Sequence, residues 1–196
     1  MRILLLNQTF HPDLVATSQY LSQLALALND RGHEVTVITS RRGYDNPEQQ
    51  FPREEVWRGI RIIRVGATAL GKKSKWRRAV DFGSFLIAAA CQLVFLRQQD
   101  VVLALTSPPL ISVLAALFAR LKRARFYYWI MDFNPYEAIA AGWLRPGSFG
   151  ARLLERASLF SLDRASGIIA LDRFMYDRLT TETELRELLE DIANER

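Results

Sequence analysis

Few side chains in this sequence could carry covalent chemistry, and their positions narrow the field quickly. The chain holds one cysteine, Cys91, and two histidines, His11 and His33. One cysteine leaves no disulfide framework and no Cys-based zinc or iron–sulfur site. A reducing compartment is the natural inference. Asp-rich metal motifs are absent, so no metal is expected. His11 stands in Phe10-His11-Pro12-Asp13, a loop after the first apolar run. His33 stands in a helix-to-strand turn, where a structural hydrogen bond from the imidazole is the simpler role. Asp132 lies two residues past the end of the apolar run Phe126–Ile130. A carboxylate there either meets a ligand or caps the short helix expected next. The fingerprint Gly-x-Gly-x-x-Gly does not follow the first strand, which argues against a nicotinamide-dependent dehydrogenase. The loop that does follow can still offer the backbone N–H groups near Thr17 to Gln19 to an anion at a helix N-terminus.

These residues need elements to hold them, and the apolar periodicity supplies them. The 196 residues fit one large domain or two small ones. The chain is long enough for a real core, and its composition is that of a globular protein. Ile3–Leu6 reads as a buried strand and not as part of a signal peptide. A helix follows from Thr17 or Ser18, either of which could cap it, with Tyr20, Leu21, Leu24 and Leu28 on one face and Gly32 just past its end. Val35–Thr39, Ile60–Val65, Val101–Leu105, Phe126–Ile130 and Gly167–Leu171 read as further strands. Residues 41–58 are polar with two prolines and read as a long excursion, and 66–78 as a basic loop. Helices are expected over 79–97, from Pro108-Pro109 to about Arg123, over Pro135–Ala141, over 149–163 and from 172 to 179. Alternating strands and helices imply an α/β fold, a doubly wound, Rossmann-like parallel sheet. Ligands then bind at the C-terminal ends of the strands, which selects the loops 7–18, 106–109 and 131–137.

Charge is unevenly spread. Residues 180–196 carry six acids and two bases, so the net of +5 divides into +9 over 1–179 and −4 over the tail. Nine bases fall within 53–78, against Glu54 and Glu55. Such clustering points to an anionic partner or a solvated basic surface. Nucleic acid is not favoured, because no helix-turn-helix or base-stacking motif is present. Between Arg78 and Arg97 lie eighteen residues with one charge, Asp81, and Val101–Ala119 has none. A two-span hairpin is conceivable on length, but Pro108-Pro109 interrupts the second span. Buried core helices are the expectation. Lys72, Lys73, Lys75, Arg77 and Arg78 around Trp76 suit peripheral docking on anionic lipid, with the indole at head-group level.

Several runs resemble one family. Leu28-Asn-Asp-Arg-Gly-His-Glu-Val-Thr-Val-Ile-Thr39 resembles the L-x-x-x-G-H-E-V-x-V-I-T signature in the N-terminal domain of GT-B glycosyltransferases of family 4. Phe10-His-Pro-Asp13 resembles its first loop. Thr106-Ser-Pro-Pro-Leu110 and Trp129-Ile-Met-Asp-Phe-Asn-Pro-Tyr-Glu137 resemble two loops of the branch acting on polyprenyl-linked or capsule sugars. Ala165–Leu171 resembles the strand that closes the domain. The resemblance covers roughly 1–179. It implies that Asp132 meets the transferred sugar near the reacting carbon. It also implies that Thr17, Ser18, His11, Ser107, Asn134 and Glu137 line the donor-phosphate or acceptor site. Thr17 and Ser18 replace glycines found in many family members, which adds side chains where backbone approaches phosphate. Glu182 and Glu190 match a spacing the family uses in its second domain, but six acids in seventeen residues make that match a matter of composition.

The resulting expectation is the acceptor-side domain of a retaining glycosyltransferase in cell-surface polysaccharide biosynthesis, occupying 1–179. An acidic amphipathic helix would follow over 180–196 and pack on the basic body through Leu185, Leu188, Leu189 and Ile192. The donor would be a nucleotide-diphosphate sugar, a co-substrate in place of any cofactor. The acceptor would be lipid-linked or a saccharide, and the location cytoplasmic, at the inner face of the plasma membrane. The family's donor-binding domain is not recognised in this sequence, so the chain alone would be inactive, with a separate donor-domain subunit as one source of that half. The alternative is a non-catalytic binding or regulatory half-domain that docks on a partner subunit or membrane.

Overall fold

A computed structural model describes residues 1–46, 48–68, 70, 74–133 and 136–181. The strands are β1 (Arg2–Leu6), β2 (Glu34–Ser40), β3 (Glu54–Trp57), β4 (Ile60–Val65), β5 (Val101–Ala104), β6 (Arg125–Ile130) and β7 (Gly167–Ala170). The helices are α1 (Ala16–Asp30), α2 (Lys75–Phe95), α3 (Ile111–Lys122), α4 (Tyr136–Ala140) and α5 (Phe149–Arg164), with a further helical run over 173–181. The strands form one sheet in the order β3-β4-β2-β1-β5-β6-β7. All pairings are parallel except β3 with β4.

The unbroken apolar runs of the central strands follow from burial on both faces. Leu4, Leu5 and Leu6 are fully buried, with β2 on one side and β5 on the other. Leu5 joins Val37, Ile62 and Leu103 on the face covered by Leu21 and Ala25 of α1. Leu4 and Leu6 join Ile38, Val102 and Ala104 on the opposite face. There Phe85, Ala89 and Leu93 of α2 and Ile111, Ala115 and Phe118 of α3 close the core. The expected Rossmann-like architecture is therefore the observed one.

Four local readings need correction. Residues 54–57 are not part of an irregular excursion but the strand β3, joined to β4 by the two-residue turn Arg58-Gly59 with φ +49° and +86°. Positive φ at both central positions is the hairpin geometry whose twist matches the flanking strands. The X-Gly pair between Val56-Trp57 and Ile60 was the available signal. Second, α1 begins at Ala16 with Val15 as its cap residue, so Thr17 and Ser18 lie inside the first turn and cap nothing. Third, Pro108 and Pro109 precede α3 instead of filling its first turn. Fourth, α2 begins at Lys75, so the basic run enters the helix.

Basic side chains oppose the dipole of a helix N-terminus, and local contacts offset that. Lys75 donates to the Gly142 carbonyl oxygen at 2.8 Å. The Arg78 guanidinium lies 3.9 Å from the Trp143 ring centroid. Nor is α2 a buried core helix. It is long and apolar enough to cross a membrane, yet only 17% of that apolar window is buried. Phe85, Ala89 and Leu93 face the sheet, while Trp76, Val80, Ile87 and Val94 are exposed. The uncharged run 101–119 is β5, a turn and most of α3, as its strand and helix readings expected, and not a second span. Lys72, Lys73, Asn134 and the acidic segment 183–195 lie outside the described residues.

Candidate functional site

The parallel strands deliver three loops to one rim. β1 is followed at once by Asn7, which is fully buried. Its amide nitrogen donates to the Thr9 carbonyl at 2.8 Å and to Thr9 Oγ1 at 3.0 Å. Thr9 Oγ1 in turn lies 3.0 Å from Thr17 Oγ1. The Gln8 N–H donates to the Ser107 carbonyl at 2.8 Å, and the Gln8 carbonyl accepts from Ser40 N–H and Thr39 Oγ1. The first loop is thus pinned to the ends of β2 and β5 at once.

Asp132 follows β6 on the same rim. Thr106 Oγ1 donates to its Oδ2 at 3.2 Å, and Asp132 is half-buried. One carboxylate oxygen is held while the other has no partner among the described residues. Behind it, burial pushes the Tyr128 phenol up, with a hydrogen bond to Ser112 opposing and the Asp132 charge adding. Ser161 Oγ donates to Ser112 Oγ at 2.8 Å. A polar string therefore runs from α5 through α3 to β6, with Asp132 and Thr106 at its outer end. Leu110, at the head of α3, holds φ +74°. A bulky residue there costs on the order of 1–2 kcal/mol, and such strain concentrates at functional rims.

Three buried polar atoms of this region have no hydrogen-bond partner among the described residues: Asn7 Oδ1, Gln8 Oε1 and Ser18 Oγ. Unpaired buried polar groups are costly, and these three lie together where β1 passes into the first loop and α1 begins. The first N–H groups of α1, a helix of 15 residues, open beside Ser18.

The structure brings Asp132, Ser107 and Thr17 to the predicted rim, though Ser107 contributes its carbonyl. Ser18 is also there but fully buried, so it faces the sheet and does not form the outer surface of the helix start. His11 is placed differently. Its ring stacks on Trp57 at 4.1 Å and 16°. Trp57 belongs to the edge strand β3, five strand spacings from β6 in the sheet order, or about 24 Å at the usual spacing. Burial, aided by Arg64 and Arg58 and opposed by Glu55, holds the imidazole below its ordinary pKa. His11 is thus packed against the hairpin, remote from Asp132. Glu137 falls in α4, but its side chain lies outside the described residues. His33 lies between α1 and β2, on the edge away from the rim, as expected. Sequence reasoning missed Asn7 and Thr106 as individuals. The signal was a polar residue placed immediately after an apolar strand.

Among the described residues, no three His, Cys, Asp or Glu side chains gather as a metal ion would require. A comparison with curated proteins returns no match. A family model described as a glycosyl transferase 4-like domain matches residues 16–186. That span takes in α1, every strand after β1, and the loops carrying Thr106 and Asp132. With the seven-stranded Rossmann-like sheet, it shows that this chain belongs to the glycosyl transferase 4-like domain family.

Proposed function

We propose that this domain is the acceptor-side half of a retaining GT-B glycosyltransferase. The donor is a nucleotide-diphosphate sugar and the acceptor a lipid-linked or saccharide hydroxyl. The observation that carries the reading is the Asp132 carboxylate, held through Oδ2 by Thr106, with its second oxygen unpaired among the described residues. A fixed carboxylate at the strand ends can accept a sugar hydroxyl and stabilise cationic character at C1 as the leaving phosphate departs. Thr17, whose hydroxyl lies 3.0 Å from Thr9 Oγ1, and the first N–H groups of α1 stand at the same rim for polar groups of the substrates. The leaving diphosphate is held by N–H donors, with no metal ion required. The reaction needs a second, donor-binding Rossmann half, in the same polypeptide or a separate subunit, and without it this domain does not turn over.

The exposed apolar face of α2 favours an additional role as a membrane anchor. Trp76 and Arg77 lie at the N-terminal end of that face, where anionic head groups of the inner leaflet would meet them. A non-catalytic docking module would use the same face and leave Asp132 idle.

The experiment is Asp132→Ala and Asp132→Asn in the chain combined with its donor half. Release of nucleoside diphosphate is measured from a panel of nucleotide sugars with lipid-linked and free saccharide acceptors. Losing a preorganised group at the reacting carbon lowers the rate about 10²-fold or more, with circular dichroism unchanged. Near-normal turnover by both variants refutes the assignment. Absence of turnover in the unmodified protein with every donor favours the docking module.

A further inference from the structure

A cleft lies between α2 and the β3–β4 edge of the sheet, away from Asp132. Its volume is about 430 Å3, and it opens to solvent. Its walls differ in chemistry. Ala88, Cys91 and Phe95 of α2 form one side, and Arg41, Arg53 and Glu54 the other. Phe95 is 84% exposed, so the apolar wall is wetted. Exposed Val94 and Ile87 extend it along the outside of the helix.

The basic wall is unpaired where it matters. Glu54 is matched by Arg61, with Nη2 3.1 Å from Oε2. Arg41 donates Nε–H to the Phe51 carbonyl at 3.1 Å, which anchors the guanidinium root and leaves its terminal N–H groups. The Arg53 side chain has no hydrogen-bond or ion-pair partner among the described residues. The Arg64 guanidinium does not contribute, because it is buried against Glu55.

We propose that this cleft binds a single-chain lipid phosphate. The phosphate sits on Arg41 and Arg53, and the hydrocarbon chain lies along Ala88, Cys91 and Phe95. A free anion would leave the wetted Phe95 wall uncovered, and a neutral hydrocarbon would leave two guanidinium groups without a counter-charge. An anionic amphiphile satisfies both walls, since guanidinium groups pair with phosphate through charge-assisted, often bidentate, hydrogen bonds. The proposal deepens the membrane reading above, because the apolar face that would meet the bilayer continues into the cleft. It is independent of the chemistry assigned to Asp132.

Cys91, the chain's one cysteine, is exposed and lines the cleft, so its alkylation by a maleimide reports occupancy. Dodecyl phosphate below its micelle concentration should slow alkylation saturably, about fivefold or more. Dodecanol and inorganic phosphate should each protect far less at the same concentration. Arg53→Ser should raise the half-protecting concentration of dodecyl phosphate about tenfold, because it removes one charge-assisted pairing with the phosphate. Arg53→Lys should recover part of it. Equal protection by dodecanol, equal protection by inorganic phosphate, no protection by dodecyl phosphate, or indifference to Arg53→Ser would each overturn the proposal. Monomeric dodecyl phosphate needs no bilayer. Failure here with intact vesicle binding therefore rejects the cleft alone, and failed vesicle binding with intact protection rejects the anchor alone.

Discussion

The Arg64–Glu55 pair should be the most sensitive polar contact at the hairpin edge, and the asymmetry between its members makes the reasoning testable. The Arg64 side chain is 1% exposed and that of Glu55 is 32% exposed, with Nη2 2.8 Å from Oε1. Arg64 Nη2 also donates to the His11 carbonyl at 2.8 Å, tying the first loop to β4. In Glu55→Ala the guanidinium stays buried with carbonyl oxygens and the Phe51 ring as its surroundings. Removing one member of a fully buried pair costs about 3–5 kcal/mol. Water can enter where Glu55 stood, which reduces the expected loss to about 2 kcal/mol. For a chain of this size that lowers Tm by about 4–8 °C. Arg64→Met removes the charge and keeps apolar volume, and should cost about 1 kcal/mol, mainly for two carbonyls left without a donor. Adding Glu55→Ala to Arg64→Met should then cost less than about 0.5 kcal/mol, since the carboxylate is partly hydrated already. Urea denaturation of all four proteins closes the cycle. Additive losses, or Glu55→Ala within about 0.5 kcal/mol of the parent, would refute the claim that burial of the guanidinium dominates.

His11 gives a pH signature. Its folded pKa lies below the ordinary value of 6.5, so below neutrality the unfolded chain binds more protons. This contribution is fully present above pH 6.5 and is lost as pH falls through the lower folded value. His11→Gln should flatten that part of the urea-midpoint profile relative to the parent, and parallel profiles would count against it. Gly59→Ala should destabilise by about 1–2 kcal/mol, because alanine resists a positive φ. Its Cβ would also meet Asn29 Nδ2 at 2.9 Å, displacing an amide that bonds the Arg58 carbonyl. A thermal melt unchanged within about 1 °C would contradict this. Replacing Trp76 by Ala and Arg77 by Ser should weaken sedimentation with anionic vesicles, less so at high salt, where screening already removes part of the attraction. Lys75 and Arg78 are engaged with Gly142 and Trp143, so substituting them should also loosen the 136–147 segment, read as faster amide exchange there. Equal binding to neutral and anionic vesicles would leave the apolar face of α2 as the sole anchor.

What the sequence determined by itself was the order of elements and the rim that carries the site. Runs such as Ile3–Leu6 and Val35–Thr39 are apolar without alternation because both faces of a central parallel strand are buried. From that pattern alone Asp132 and the loops at 7–18 and 106–109 fall on one edge of the sheet. The strand β3 escaped because Glu54-Glu55-Val56-Trp57 lies at the sheet edge, half in water, where polar composition resembles a loop. Only the tertiary structure could decide the rest, since each deciding contact joins residues far apart in the chain. Thr106 reaches Asp132 across 26 positions and Arg64 reaches the His11 carbonyl across 53. Local periodicity records which face of an element is apolar, but not which neighbour covers it. Hence the outer face of α2, indistinguishable from core in sequence, stands exposed beside a cleft. For the same reason His11, in a loop that chain order assigned to the site, turns instead onto Trp57. There the apolar contact and desolvation available at the hairpin decide where an imidazole rests.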